Sequence, residues 1–211
     1  MGINFGQNSG RNNNSQSNVV HMGGNNVGAL NLNKNDVLDL TKGLEQVVLA
    51  AGWDISRNGA SFDLDIAAFM LNSYGRVSNI GTDVVYFNNM QAPGVMLEGD
   101  NLTGSGDGDD ERIQVDLSKI APYVEKIVFV VTIHEANIKR QTFGMIDNSY
   151  VRLLNSAANE SEICRFDLKE NGSTATSVIF AELYKERNNW KFKAIGEGRV
   201  GDLNDILRLY I

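Results

Sequence analysis

The chain has 211 residues, of which 42% are hydrophobic and 21% charged, a composition typical of soluble globular proteins. Its net charge of −7 argues against a nucleic-acid partner, because phosphate contacts need clustered Lys and Arg. The only cysteine, Cys164, excludes an intrachain disulfide, and we expect it to be a small buried hydrophobe in a reducing compartment. There is neither an apolar signal-peptide core nor an apolar run of about 20 residues, so we expect a cytoplasmic protein.

Residues 1–28 differ in composition from the rest of the chain. They include eight Asn, six Gly, three Ser and two Gln, and Arg11 is their only charged residue. Such a segment buries too little apolar surface to offset its conformational entropy, so we predict a disordered tail. Asn-rich segments also self-associate in some proteins, and that alternative stays open.

From residue 29 onward, short runs rich in Val, Ile, Phe and Tyr alternate with Gly, Asn, Asp and Ser. This pattern predicts one all-β domain over residues 29–211, an antiparallel β-sandwich of about ten strands with a few short helices. Short helical turns are expected at LSKIAPY and NIKRQTFG, and the leucine spacing in GDLNDILRLYI predicts a terminal amphipathic helix. The predicted strands are NDVLDLT, LEQVVLAAGWD, FDLDIAAFML, TDVVYFNN, RIQVDL, EKIVFVVTIHE, SYVRLLN, SEICRFDL, ATSVIFAELYKE and NWKFKAIGEG.

An acidic, glycine-rich segment, GDNLTGSGDGDDE, spans Gly99 to Glu111 with five acidic residues and four glycines. Oxygen donors of this kind suit a hard cation, and glycines let backbone carbonyls turn inward, so Ca²⁺ is the expected ligand and Mg²⁺ the second choice. The segment is not an EF-hand, because Leu102, Gly104 and Ser105 occupy loop positions that need other residues. A solvated loop without metal is the alternative.

A second acidic pair lies in FDLDIAAF, where Asp63 and Asp65 are two residues apart and therefore share one face of a strand. Two like charges on one face repel each other unless a cation or solvent lies between them. Together with the acidic segment, this pair predicts one or two calcium ions at one end of the sandwich.

These residues resemble the TerD family of tellurium-resistance bacterial stress proteins. The similarity runs from about residue 29 to the C-terminus and is carried by GWD, FDLDIAAFML, VYFNN, GDNLTG followed by GDDE, KIVFVVTIHEA and the ending SVIFAELYKERNNWKFKAIGEG. The resemblance implies a calcium-binding β-sandwich, made in the cytoplasm alongside related stress proteins, for which no enzymatic activity is established. The expected partners are calcium ions and either related stress proteins or a membrane-associated complex. It implies a metal site made of Asp63, Asp65, Asp100, Asn101, Gly104, Gly106, Asp109, Asp110 and Glu111.

Two other functions remain open from the sequence. A calcium-dependent membrane-binding sandwich needs basic or exposed apolar residues beside the acidic loop, and the sequence offers only Leu102 and Arg112 there. A metal-dependent hydrolase needs a general base near the metal. His134 and Glu135 are adjacent in a strand and point to opposite faces, so we expect a hydrogen-bonded histidine rather than a catalytic pair. The sequence therefore predicts a binding protein and no enzyme.

Overall fold

The strands of this protein form two facing sheets. The computed structural model describes residues 19–20, 29–40, 44–54, 62–99, 108–168 and 173–211. Within those ranges there are fourteen strands: β1 (Val19–Val20), β2 (Leu30–Asn31), β3 (Val37–Asp39), β4 (Gln46–Asp54), β5 (Leu64–Leu71), β6 (Val84–Val85), β7 (Gln91–Ala92), β8 (Val95–Glu98), β9 (Glu111–Asp116), β10 (Lys126–Ile133), β11 (Asp147–Asn155), β12 (Ser161–Asp167), β13 (Ser177–Glu186) and β14 (Asn189–Arg199).

Each sheet contains seven of these strands. Sheet A has the order β1-β3-β14-β13-β10-β5-β6, and sheet B has the order β2-β12-β11-β4-β9-β8-β7. Among the described pairings, the parallel ones lie at one edge of each sheet, where β1 joins β3 and β2 joins β12. The predicted antiparallel β-sandwich is confirmed.

Strand β5 shows how the apolar residues are divided between two cores. Its residues Leu64, Ile66, Ala68 and Met70 face the core between the sheets. Its alternate residues, including Phe69, pack outside sheet A against the C-terminal helix α3 (Leu203–Leu207) and Tyr210. Because both faces are covered, β5 is a continuous apolar run from Ile66 onward rather than an alternating one.

The two sheets are tied together at one end of the sandwich. The indole Nε1 of Trp53, near the end of β4, donates to the carbonyl oxygen of Phe62 at 3.1 Å. The backbone N–H of Ile66 in β5 donates to Oε2 of Glu111, the first residue of β9, at 2.7 Å. The starts of β5 and β9 therefore lie at the same end as the end of β4, and we call this end the acidic end.

The predicted short helices are also present. Helix α2 (Ala136–Lys139) and a 3₁₀ turn at Phe143–Met145 lie in the NIKRQTFG region, and a 3₁₀ turn at Leu117–Lys119 begins the LSKIAPY region. The expectation for TDVVYFNN was largely wrong, because helix α1 (Ile80–Asp83) precedes a strand of only two residues. Asn79 caps that helix by accepting from the N–H of Gly81, which favours the helical turn.

Strands β2, β7 and β8 were not predicted, because they are two to four residues long and therefore carry little alternation. Most of the predicted tail, residues 1–28, lies outside the described residues, although Val19–Val20 within it pairs with β3. None of the helices in the described ranges has both the length and the apolar composition needed to cross a membrane.

Candidate metal site

The acidic segment joins two neighbouring antiparallel strands of sheet B. Glu98, the last residue of β8, pairs with Arg112 of β9, so the connection between them starts and finishes at the acidic end. Of the site residues expected from the sequence, Asp100, Asn101, Gly104 and Gly106 lie outside the described residues. The other five are described, and each makes different contacts.

Glu111 reaches into the interior of the sandwich. It shares the inward face of β9 with Ile113 and Val115, and its side chain is only 1% exposed. Its Oε2 accepts from the N–H of Ile66 at 2.7 Å. Strand β6 pairs with β5 only at Ala68 and Phe69, so it leaves Ile66 without a backbone partner on that edge. The carboxylate supplies the acceptor that a buried amide requires.

Asp65 is the second residue of β5, and its side chain lies on the face of sheet A opposite to those of Leu64 and Ile66. It is 7% exposed, and its Oδ2 lies 3.4 Å from Nδ1 of His134. The backbone N–H of His134 donates to the carbonyl oxygen of Asp63 at 2.8 Å, which fixes the residue that follows β10 beside the start of β5. Asp65 thus directly precedes Ile66, whose N–H donates to Glu111, and Asp63 lies two residues before Asp65.

Asp110 is held by the last residues of β4. Its backbone N–H donates to the carbonyl oxygen of Ala51 at 2.8 Å, and its Oδ2 accepts from the N–H of Trp53 at 2.9 Å. Burial raises the pKa of Asp110; the hydrogen bond from Trp53 opposes this, and the charges of Asp109 and Asp54 raise the pKa further. A nearby cation would relieve this concentration of negative charge.

Asp109 has both carboxylate oxygens engaged. Its Oδ1 accepts from Nε of Arg152 at 2.7 Å, and its Oδ2 accepts from Nη2 at 2.9 Å. The side chain of Asp109 is only 3% exposed. These contacts are those of a bidentate ion pair, which could not be predicted because Arg152 lies 43 residues away in the sequence.

The structure brings together some of the expected ligands and separates others. Asp63 and Asp65 lie at the start of β5, where Glu111 accepts from the N–H of Ile66, and Asp110 is attached to the end of β4, whereas Asp109 pairs with Arg152. Within the described part of the chain, no group of three or more His, Cys, Asp or Glu side chains is arranged to hold a metal ion. Asp100 and Asn101, the other expected side-chain donors, lie outside the described residues.

The donor chemistry at the acidic end fits a hard cation. The expected donors are carboxylate, amide and backbone oxygens, and the one cysteine, Cys164, is buried elsewhere, in β12. The hydroxyl of Ser149, near the start of β11, is buried and has no hydrogen-bond partner among the described residues. His134 and Glu135 follow β10 rather than lying within it, and the sequence did not reveal that Nδ1 of His134 lies 3.4 Å from Oδ2 of Asp65.

Comparison with known proteins decides the family. The model of the TerD domain matches residues 28–210. The chain belongs to the TerD domain family. The match includes all described strands except β1, and both acidic stretches lie within it.

The relatives include proteins named for tellurium resistance and for stress. The tellurium resistance protein TerD of Serratia marcescens is 40% identical over 188 residues, covering 86% of this chain and 97% of that protein. General stress protein 16U of Bacillus subtilis is 41% identical over 188 residues, covering 86% of this chain and 96% of that protein.

A solved structure has the same fold. The crystal structure of a homologue of telluride resistance protein from Streptomyces coelicolor A3(2) superposes with a TM-score of 0.66. It is 22% identical in sequence and covers 78% of this chain and 96% of that chain. At this level of identity the comparison supports the sandwich architecture alone.

Proposed function

We propose that this protein is a cytoplasmic, calcium-binding stress-response protein of the tellurium-resistance type. It acts by binding rather than by catalysis, as an interaction module whose acidic end is stabilised by the metal. The names of its relatives in Serratia and Bacillus support the stress-related part of this proposal.

The observation that carries the calcium proposal is the position of two shielded carboxylates at the start of β5, Asp65 within the strand and Glu111 on the N–H of Ile66. Both lie at the end of the sandwich where the acidic segment enters β9. Asp63, Asp65, Asp110 and Glu111 are proposed as ligands, with Asp100, Asn101 and the backbone at Gly104 and Gly106 supplying the remainder.

Bound Ca²⁺ would change both the charge and the rigidity of the acidic end. The ion would neutralise carboxylates that otherwise repel one another, and it would fix the connection between β8 and β9 to the start of β5. Binding to the folded state alone stabilises it by about 2.7 kcal/mol at a hundredfold excess over the dissociation constant. The same negative charge disfavours binding of tellurite, an oxyanion, so a role in resistance is indirect.

Calorimetric titration with Ca²⁺ tests this proposal directly. We expect the wild-type protein to bind Ca²⁺ and the Asp65→Asn variant to bind at least tenfold more weakly, because a ligand charge is lost. Glu186→Gln is the matched control, since it removes one negative charge at the β13–β14 turn, at the opposite end of the sandwich. Equal affinity of Asp65→Asn and wild type would show that Asp65 is not a ligand.

A specific observation favours a second candidate, calcium-dependent binding to an anionic membrane. The acidic end exposes more apolar surface than the sequence indicated, because Ile138 is 79% exposed, Val200 76% and Met145 53%. Ile138 lines a cleft of about 450 Å³ together with Asp65 and His134. The exposed cations Lys139 and Arg140 follow Ile138 directly. Exposed apolar side chains and cations beside a calcium site would favour binding to an anionic lipid surface.

Sedimentation with phosphatidylserine-containing vesicles, with Ca²⁺ or chelator, tests the second candidate. We expect binding only with Ca²⁺, and about tenfold weaker binding for Ile138→Asp, since the side chain would no longer enter the lipid interface. Tyr74→Asp is the control, because Tyr74 is 87% exposed in the turn after β5, at the opposite end. Calcium-independent binding, or equal loss in both variants, would exclude this candidate.

A further inference from the structure

The last residues of the acidic segment are fastened to the outer face of sheet B by β11. Arg152 of β11 forms two hydrogen bonds to the carboxylate of Asp109, at 2.7 and 2.9 Å. The hydroxyl of Tyr150 lies 3.0 Å from the carbonyl oxygen of Gly108 and 3.3 Å from Oδ1 of Asp109. Two side chains of one strand thus hold two consecutive residues of the segment.

Arg152 is itself fixed in place from the other side. Its Nη1 donates to Oε2 of Glu162 at 2.9 Å, and Glu162 also accepts two hydrogen bonds from Arg165. The guanidinium of Arg165 lies 4.0 Å from the ring centroid of Tyr150, which orients that ring. The contacts to Gly108 and Asp109 are therefore part of a network that crosses β11 and β12.

The backbone of β4 leaves room for this arrangement. A Cβ atom on Gly52 would lie 2.5 Å from both Cζ and the hydroxyl of Tyr150, and 2.9 Å from the carbonyl oxygen of Gly108. Only a residue without a side chain lets Tyr150 cross β4 to reach the segment. Gly52 lies directly before Trp53, whose N–H binds Asp110, so the segment is attached to β4 and β11 at adjacent points.

We propose that Arg152 and Tyr150 clamp Gly108 and Asp109, so that Asp109 is a positioning residue that sets the geometry of the acidic segment rather than a ligand of the metal. The clamp presents Asp110 and Glu111 at the acidic end in a fixed orientation. Its effect on calcium affinity rests on the proposed function, whereas the clamp itself is tested in chelator, without metal.

The two possible roles of Asp109, metal ligand and positioning residue, predict opposite effects of Arg152→Gln on calcium affinity. If Asp109 were a ligand, Arg152 would compete with Ca²⁺ for its oxygens, and Arg152→Gln would strengthen calcium binding. If Asp109 is a positioning residue, Arg152→Gln weakens binding because the segment loses its attachment. Arg152→Lys separates charge from geometry, since Lys keeps the charge but cannot form the bidentate pair.

The first measurement is amide hydrogen exchange in chelator, which tests the clamp without calcium. We expect Arg152→Lys and Asp109→Asn each to speed exchange of the amides of Asp110 and Trp53 about tenfold, since one charge-assisted pair is lost. Arg208→Lys is the matched control, because it makes the same exchange in an ion pair with Asp205 that lies outside this network. Unchanged exchange at Asp110 and Trp53 in Arg152→Lys would overturn the clamp.

The second measurement is the calcium affinity of the same variants. We expect Arg152→Lys, Arg152→Gln and Asp109→Asn to weaken binding by similar factors, and the double variant Asp109→Asn/Arg152→Gln to be no weaker than either single one. Tighter binding by Arg152→Gln would overturn the positioning role. Absence of binding in the wild-type protein would refute the proposed function and leave the exchange result to decide the clamp.

Discussion

Replacement of Glu111 gives the most informative single perturbation, because its buried carboxylate has a structural contact and a proposed metal contact. Glu111→Ala removes the acceptor for the N–H of Ile66 and leaves that donor buried. Loss of a hydrogen bond to a charged group and of one buried methylene together amount to about 2–4 kcal/mol. Glu111→Gln retains an oxygen acceptor and nearly the same volume, so we expect it to lose no more than about 1 kcal/mol.

Thermal unfolding in chelator measures both variants. For a domain of this size, about 1 kcal/mol corresponds to about 2–4 °C in Tm, so Glu111→Ala should unfold about 4–16 °C below the wild type. Glu111→Gln should unfold close to the wild type in chelator and lose the stabilisation by Ca²⁺. Equal destabilisation by Glu111→Ala and Glu111→Gln would show that the charge of Glu111, rather than its hydrogen bond with Ile66, stabilises this end.

Three further predictions concern other parts of the molecule. Gly52→Ala should destabilise the protein by about 1–3 kcal/mol in urea unfolding through overpacking against Tyr150, whereas Gly81→Ala, whose nearest neighbour is Asn79 Oδ1 at 3.4 Å, should change stability by less than about 1 kcal/mol. A hydrogen bond from Lys119, followed by one from Ser118, lowers the pKa of Asp116 to about 2, so its stabilisation is present above its unfolded pKa of about 3.9 and is lost as pH falls toward 2. Asp116→Asn should therefore flatten the acid limb of stability measured between pH 5 and 2; an unchanged limb would contradict this. Burial raises the pKa of the Cys164 thiol to about 12, so a disulfide reagent at pH 8 should modify it only when the protein unfolds, and rapid labelling of the native protein would contradict the structure.

The sandwich was predictable because the apolar residues of its long strands identify them as buried strands in the sequence. Strands such as β4, β10 and β13 are eight to ten residues long and rich in branched apolar residues. Strand β6 was misjudged, because the cap at Asn79 turns the preceding residues into a helix. Local capping therefore outweighed β propensity where the strand was too short to compete.

The candidate site was only partly predictable, for a physical reason. A sequence shows which residues carry oxygen donors, and the family match supports their placement in one domain, but partners distant in sequence are set by strand order and register. The Glu111–Ile66 hydrogen bond joins residues 45 apart, and the Asp109–Arg152 pair joins residues 43 apart. Nothing near Asp109 in the sequence distinguishes it from Asp110, although the two carboxylates bind different elements.

Thermal unfolding of the purified protein in chelator, in Ca²⁺ and in Mg²⁺ tests whether the acidic end binds calcium. We predict a rise in Tm of several degrees with Ca²⁺, growing with the logarithm of its concentration, and a much smaller rise with Mg²⁺. An identical Tm in all three conditions would show that the acidic end of the sandwich binds neither ion, and it would contradict the proposed calcium-dependent function.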